Sequence, residues 1–200
     1  PDPAARVAAF RAGEVDLIIG RPPLAQVKAL EGAPGVSVSM VPIASANVET
    51  FILNLRNPIL KDLRVREAIA HATDKDLVTE LATYKYHDVA EAWVHAQLRS
   101  YTNPNVRRYE YDPKKAEKLL DDAGYPRGAD GTRFKLVFVP QPVTERIKAA
   151  EIIKKELNDI GITIDYVLLD AAAWEERVEV RLNYDLSVVG PNTGPYPPTI

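Results

Sequence analysis

Residues 54–76 read NLRNPILKDLRVREAIAHATDKD, and this stretch predicts how its neighbours are arranged. Pro58 fixes its own φ angle and restricts Asn57 to an extended conformation, so a strand that arrives at residue 57 ends there. Asp62 can then accept hydrogen bonds from the free backbone N–H groups of a new helix. The stretch therefore predicts a strand, a turn at the proline and a capped helix in succession.

The residues after Asp62 have the period of an amphipathic helix. Apolar residues at i, i+3, i+4 and i+7 form one face, which consists of Val65, Ala68, Ile69 and Ala72. Thr73 or Asp74 can cap a second helix. The predicted apolar side of that helix consists of Leu77, Val78, Leu81 and Ala82. Two consecutive capped helices are therefore expected.

Composition excludes several classes of protein. The chain has 200 residues and a net charge of −3, which gives no electrostatic attraction to nucleic acid. It has no cysteine, so disulfides, thiolate metal sites and a cysteine nucleophile are excluded. No apolar run approaches the ~20 residues that a membrane-spanning helix needs. The sequence begins Pro-Asp-Pro, without Met or a signal peptide, and we expect a piece of a longer protein whose export signal lies outside it.

Upstream of residue 54 the sequence alternates short apolar runs with proline and glycine. We predict helices at residues 6–12 and 24–30, a turn at 32–35 and a buried strand at 15–19. Val36, Val38 and Met40 alternate with serines, which predicts a half-buried strand. A further strand is expected at residues 50–55. We place a boundary between two structural units near residues 44–47.

Downstream, residues 84–108 lack a clear period and contain Trp93. A connection of this length inside a compact domain is usually functional or covers something. Asp112 and Pro113 then have the pattern of a helix cap followed by proline at the first helical position. Gly124 suits the position after that helix, where the backbone often adopts a left-handed conformation. This helix has the clearest start and stop signals in the chain.

The remaining chain predicts a βαβ unit, with strands at residues 134–139 and 162–169. Thr144 is predicted to cap the helix between them, which runs through residue 159, so the strands should be parallel and the crossover right-handed. Asp170 is predicted to cap another helix, with Trp174 in the core. A strand at 184–189 then leads into an irregular loop at 190–198. Ligands of open α/β sheets bind just beyond such strand ends.

Ordered motifs along the chain resemble the extracytoplasmic solute-binding proteins that deliver peptides, and in relatives nickel, to ABC importers. The matching segments are residues 51–54, Asn57-Pro58, Asp62 with 64–66, Ala68-Ile69, Asp74-Lys75, 111–113, 119–125, Leu157 and 160–162. The resemblance covers nearly the whole chain, and an ordered series is far more specific than any single motif.

The resemblance implies an α/β fold like a lobe of a type II periplasmic binding protein, with a mixed, partly parallel sheet flanked by helices. Residues 1–46 would be part of the first lobe, and residues 47–200 the ligand-closing lobe, incomplete at its C-terminus. Two lobes of this kind close on a peptide or similar small solute and present it to ABC permease subunits. The chain alone is expected to fold at least in part and to bind solute poorly, which micromolar binding in calorimetry would contradict.

The predicted ligand-binding residues lie in the long connection and in the loop after the last strand, from which the resembling family lines its cleft. They are Trp93, Gly190, Asn192, Thr193 and Tyr196. Dipeptide-binding members often carry Asp-Pro in this loop, and the carboxylate pairs with the amino terminus of the substrate. This sequence has Tyr196-Pro197 instead, so recognition of a free amino terminus by this loop is not expected.

The resemblance also implies a monomeric binding protein with no catalytic residues, no metal and no cofactor. Its location would be periplasmic, or extracytoplasmic with a lipid anchor. No nucleic-acid partner is expected.

Three alternatives stay open at the level of sequence. His87, Glu91 and His95 are spaced i, i+4, i+8 and could bind a metal on a helix, although a solvated polar face explains them as well. An α/β hydrolase would need titratable residues, among them His71, His87 or His95, that converge near the loop after Val189. A sensor or docking module of the same fold would use no permease. His71 is otherwise expected to be packed or exposed at the rim of the apolar face. The carboxylates are expected to be solvated, namely Asp121, Asp122, Glu156, Asp159, Glu175 and Glu176.

Overall fold

The computed structural model describes residues 3–19, 22–39, 48–90, 103 and 105–190. It contains a four-stranded sheet with the order β1-β4-β2-β3. The strands are β1 (Thr50–Leu53), β2 (Phe134–Phe138), β3 (Ile162–Tyr166) and β4 (Leu186–Val189). The helices are α1 (Pro3–Arg11), α2 (Leu24–Lys28), α3 (Pro58–Lys61), α4 (Leu63–Ala72), α5 (Lys75–Thr83), α6 (Pro113–Asp122), α7 (Thr144–Asp159) and α8 (Ala171–Trp174), which a π-helical turn (Glu175–Val180) extends.

The sheet is parallel on one side and antiparallel on the other. β2 pairs with β3 in parallel, from Phe134 opposite Ile162 to Phe138 opposite Tyr166. β4 joins β2 in parallel where Phe138 lies opposite Leu186. β1 is antiparallel to β4. This arrangement, with helices packed on the strands, confirms the prediction of a mixed, partly parallel α/β fold.

The stretch at residues 54–76 forms three helices rather than two. Asp62 caps α4 by accepting a hydrogen bond from Arg64 N at 2.8 Å, and Asp74 caps α5 through Leu77 N at 2.9 Å. Both of these helices were predicted. The extra helix, α3, is a single turn that Asn57 caps through Ile59 N at 2.9 Å.

The apolar face predicted for α4 is confirmed, because its four residues are at most 1% exposed. This face belongs to the main core, which also includes Leu60, Ala116, Leu120, Leu136, Phe138, Ile153, Leu157, Ile160, Ile162 and Leu186.

The prediction for the apolar face of α5 is confirmed for only half of its residues. Ala82 is buried and Val78 packs on the core, but Leu77 and Leu81 are 40% and 51% exposed. α5 contacts α7 along a narrower side than the sequence pattern indicated.

Helix α6 begins and ends as predicted. Asp112 accepts a hydrogen bond from Lys115 N at 3.0 Å, and Pro113 occupies the first turn. Gly124 has φ +90°. The following N–H, that of Tyr125, bonds back to Leu120 O at 2.9 Å, which satisfies a carbonyl at the helix end.

Helix α7 connects β2 to β3 and completes the predicted parallel βαβ unit. The prediction that Thr144 caps α7 is wrong, since Thr144 is the first helical residue and Val143, the cap, makes no side-chain bond. The predicted buried stripe through Ala150, Ile153, Leu157 and Ile160 is confirmed.

Two predicted strands upstream of β1 are absent from the described residues. Residues 15–19 form no strand, and Leu17 and Ile19 are 69% and 79% exposed. Residues 36–39 keep the predicted alternation of burial but form no strand either. A strand needs a hydrogen-bonding partner, and neither segment pairs with another described segment. The predicted helix at 24–30 and turn at 32–35 are present, and the helix predicted at 6–12 lies at Pro3–Arg11.

The C-terminal elements are shorter than predicted but lie in the predicted order. β3 ends at Tyr166 instead of residue 169, and β4 begins at Leu186 instead of residue 184. Asp170 caps α8 through Ala173 N at 2.9 Å. Trp174 is 3% exposed and its indole N–H donates to Val139 O, so it is a core residue as predicted. No helix in the described ranges is both long and apolar enough to cross a membrane.

Replacing Asp112 with alanine should lower the free energy of unfolding by about 1 kcal/mol, because the first turn of α6 loses its side-chain acceptor. Urea denaturation followed by circular dichroism measures this loss. Asp88→Ala is the matched control, since Asp88 is exposed and caps no helix. Equal stabilities for the two variants would contradict a capping role for Asp112.

Candidate functional site

The carboxyl ends of β2 and β4 form the edge of the sheet at which the site is expected. The parallel pairing continues beyond β2, where Val139 N donates to Leu186 O at 2.9 Å and Gln141 N donates to Val188 O at 3.1 Å. Gln141 and Gly190 therefore leave the sheet side by side. We call this place the carboxyl edge, meaning residues 139–143 and 189–190 with the first turn of α7.

Arg146 lies at the carboxyl edge, and its side chain is only 8% exposed. Its Nε and Nη2 donate to the two carboxylate oxygens of Glu49 at 2.5 and 3.0 Å. Its Nη1 donates to Gln141 Oε1. A cation in the first turn of a helix faces the positive end of the helix dipole, so the carboxylate of Glu49 offsets an unfavourable position.

Gly190 packs directly against this ion pair. A Cβ atom at residue 190 would lie 1.9 Å from Arg146 Nη2 and 3.0 Å from Glu49 Oε2. Real Cβ atoms do not approach other heavy atoms so closely. A side chain at residue 190 would therefore require the flexible ends of Arg146 and Glu49 to shift.

Of the predicted ligand-binding residues, the structure places Gly190 at the carboxyl edge. Trp93, Asn192, Thr193 and Tyr196 lie outside the described residues. The binding role of all five stays a prediction.

Sequence reasoning did not identify Arg146, Glu49 or Gln141. A signal for Arg146 was present, because it lies four residues before Ala150 and seven before Ile153, on the buried stripe of α7. Glu49 and Gln141 lie in short connections, where periodicity gives no information.

The titratable residues needed for a hydrolase do not converge at the carboxyl edge within the described residues. His71 is buried elsewhere, with Nδ1 2.7 Å from Glu110 O and its ring edge-on to Tyr109. His71 is therefore packed, as predicted. His87 is exposed, and Glu91 and His95 lie outside the described residues. The described ranges contain no group of three side chains suited to a metal.

A cleft of about 310 Å³ lies away from the carboxyl edge, at the amino end of β4. Asn54 and Asn57, from the 54–76 stretch, line the polar side of this cleft. Asn54 Nδ2 donates to Leu182 O at 2.9 Å and Tyr184 O at 2.8 Å. Asn57 Nδ2 donates to Asp185 Oδ1 at 2.8 Å, and the other oxygen of Asp185 accepts from Val137 N at 2.7 Å. These side chains fix the turn into β4, so their local role is structural.

The prediction that the carboxylates are all solvated is wrong for Glu156. It is 7% exposed on the inner side of α7. Both of its oxygens lie 3.3 Å from Asp74 N, at the start of α5. Burial raises the pKa of Glu156 to about 7, and the bond from Asp74 N only partly opposes this. Its neighbour Asp159 is exposed, as predicted, and pairs with Lys155 at 2.6 Å.

Comparison with known proteins gives one family and several relatives. The family model described as "Bacterial extracellular solute-binding proteins, family 5 Middle" matches residues 1–199. Heme-binding protein A of Haemophilus influenzae is 29% identical over 90% of this chain and 32% of its own length. The nickel-binding periplasmic protein of Escherichia coli is 29% identical over 84% of this chain and 33% of its own length.

A solved structure has the same fold. The periplasmic binding protein DppA from Helicobacter pylori, in complex with the peptide STSA, superposes with a TM-score of 0.78 at 28% identity. The match covers 95% of this chain and 35% of that one. The chain thus spans about a third of the length of the relatives it matches.

Proposed function

This chain belongs to the bacterial extracellular solute-binding proteins of family 5, and on that basis we propose that it helps to capture peptides for an ABC importer. The solute would bind between two lobes and be presented to the membrane permease. The single observation that carries the proposal is the family match over residues 1–199. Members of this family bind solutes and are not enzymes, so the hydrolase alternative is set aside.

The geometry of the carboxyl edge supports this proposal. Crevices at the carboxyl ends of parallel strands are the usual ligand sites of open α/β sheets. The predicted binding loop leaves the sheet at Gly190, directly at this edge. At this edge Arg146 is paired with Glu49, so the charge of its guanidinium is balanced within the chain itself.

Peptides are our first candidate for the solute. The relatives named above differ in what their names say they bind, namely heme, nickel and a peptide, at 28–29% identity to this chain. The ordered motifs at residues 51–76, 111–125 and 157–162 resemble the family that delivers peptides and, in relatives, nickel. We place peptides first because the solved relative DppA is in complex with a peptide. A nickel complex or heme is the second candidate, because the two named relatives that bind them are equally similar.

The arrangement of the whole protein is part of the proposal. Residues 1–46 would belong to the first lobe and residues 47–200 to the lobe that closes on the solute, with Trp93, Gly190, Asn192, Thr193 and Tyr196 at the cleft. The protein would act as a monomer outside the cytoplasmic membrane, in the periplasm or on a lipid anchor, and would dock on permease subunits.

Calorimetry on the full-length protein tests the proposal. The probes are a series of alanine oligopeptides from dialanine to pentaalanine, nickel(II) chloride and hemin, and native mass spectrometry of the freshly purified protein identifies any solute that it carries. We expect micromolar binding of at least one peptide and peptide masses in the spectrum. Binding of nickel or hemin alone would overturn the peptide assignment. Absence of any carried solute and of any binding would overturn solute capture itself.

A further inference from the structure

The polar wall of the cleft at the amino end of β4 is held in place by bonds within the chain. Asn54 Nδ2 binds two carbonyls of the turn into β4, and Asn54 Oδ1 accepts from Arg56 N at 3.0 Å. Both oxygens of Asp185 are also engaged, one with Asn57 Nδ2 and the other with Val137 N. A ligand in this cleft would therefore have to bind to other groups.

Two guanidinium groups at the cleft have no carboxylate partner in the part of the chain that the structure describes. Arg56 lines the cleft and is exposed, and only its backbone N–H is bonded there. Arg177 is joined to Asn183, another lining residue, because its Nε donates to Asn183 O at 3.0 Å. The carboxylate of Asp185 accepts from two N–H groups of the wall and pairs with neither arginine. The cleft thus offers cationic donors that no contact within the described chain uses.

The turn beside the cleft has an uncommon backbone conformation. Leu182 lines the cleft and has φ +53°, a left-handed conformation that leucine rarely adopts. It comes shortly after the π-helical turn Glu175–Val180, and its carbonyl accepts from Asn54 Nδ2 at 2.9 Å. Such conformations persist only where the surroundings enforce them, and they are concentrated at functional sites. The bonds of the wall therefore hold this side of the cleft in a preformed shape.

We propose that this cleft is a binding site for a small anion with phosphate or carboxylate oxygens, which Arg56 contacts and to which Arg177 adds attractive charge. A guanidinium is a planar fork of donors that matches such oxygens and always keeps its charge. The side-chain amide of Asn183 is exposed and offers a further donor. The volume of about 310 Å³ is at the lower end of the range for small-molecule sites, ~300–1,000 Å³, which suits a small anion.

The first experiment titrates the full-length protein with inorganic phosphate and, separately, with succinate. Near neutral pH and at constant ionic strength, the amide resonances of residues 54–57 and 182–185 are followed by nuclear magnetic resonance. At least one of the two anions should shift these resonances with a dissociation constant in the millimolar range or below, and the active one identifies the ligand class. Sodium chloride should leave the resonances in place, because screening alone does not fill the cleft. Shifts from neither anion, or equal shifts from chloride, would overturn the site.

The second experiment assigns the binding to the arginines. Arg56→Gln should weaken binding of the active anion about fivefold, and Arg177→Gln about twofold, because each removes a positive charge at the cleft. Arg181→Gln is the matched control. It lowers the net charge equally and lies next to Leu182, but its guanidinium already binds Glu176 at 2.7 Å. The control should leave the dissociation constant unchanged. Equal affinities for wild type and Arg56→Gln, or equal losses in Arg56→Gln and Arg181→Gln, would overturn the proposal.

The third experiment tests whether this site is separate from the carboxyl edge. Calorimetry with the alanine oligopeptides should give the same dissociation constant for wild type and Arg56→Gln. Weaker peptide binding by Arg56→Gln would place Arg56 in the peptide site and would overturn a separate anion site. If wild type bound the anion but no peptide, peptide capture would fail and the anion site would stand.

Discussion

Replacing Phe138 with alanine is expected to lower the free energy of unfolding by about 3–5 kcal/mol. Phe138 has no exposed surface and lies at the junction of the sheet, where β2, β3 and β4 meet. Its ring centroid is 5.5 Å from that of Phe51 and 5.9 Å from that of Tyr166. The substitution removes these contacts and leaves a cavity between the sheet and its helices.

Such a loss is a large part of the free energy of unfolding of a typical domain, which is ~5–15 kcal/mol. Urea denaturation of the chain, followed by circular dichroism, measures it. Leu168→Ala is the control, because Leu168 is 54% exposed and its truncation should change stability by less than about 0.5 kcal/mol. A loss below about 1.5 kcal/mol for Phe138→Ala would mean that the junction is not packed as described.

The parts of the fold that the sequence predicted well are those specified by local interactions. Caps at Asp62, Asp74, Asp112 and Asp170 are each formed with a backbone N–H two or three residues away. A cap of this kind depends on few neighbours, so its residue type and position are enough to predict it. The buried face of α4 follows from the helical period in the same way.

The strands upstream of β1 were predicted wrongly because a strand is not a local structure. Leu17 and Ile19 lie in an apolar run of suitable length, yet both are exposed and the run is unpaired in the described part of the chain. Pairing needs a partner with free hydrogen-bonding groups at the right distance, and an apolar run alone does not supply one. The sequence pattern could not show where that partner lies.

The binding role of the candidate site stays a prediction, and the sequence did not identify the side chains that meet there. The end of β4 was correctly expected to lead to an edge of the sheet, but the side chains that meet there come from segments far apart in sequence. Glu156 was grouped with Asp159 and expected to be solvated on an exposed helix surface, and Arg146 was not singled out at all. Both are in register with Ile153 on the buried stripe of α7, so the helical period predicts that they face inward.

Replacing Glu156 with glutamine is expected to stabilise the protein by about 1–3 kcal/mol at pH 8 and to leave it unchanged near pH 4.5. Burial raises the pKa of Glu156 from 4.5 to about 7. Since the folded state binds this proton more tightly than the unfolded state, the contribution of Glu156 to stability should fall as pH rises from about 4.5 to about 7. Glutamine keeps an acceptor for Asp74 N and never acquires a charge.

The groups that face Glu156 set the size of this effect. The carboxylates of Asp74 and Asp159 disfavour a charge on Glu156, and the ammonium of Lys155 favours it. The measurement is the difference in unfolding free energy between Glu156→Gln and wild type, from urea titrations at about pH 4.5, 6, 7 and 8. Glu151→Gln, exposed on the same helix, is the control and should give a difference near zero throughout. A pH-independent difference for Glu156→Gln would mean that the carboxyl is solvated after all, and that α7 does not press it against the start of α5.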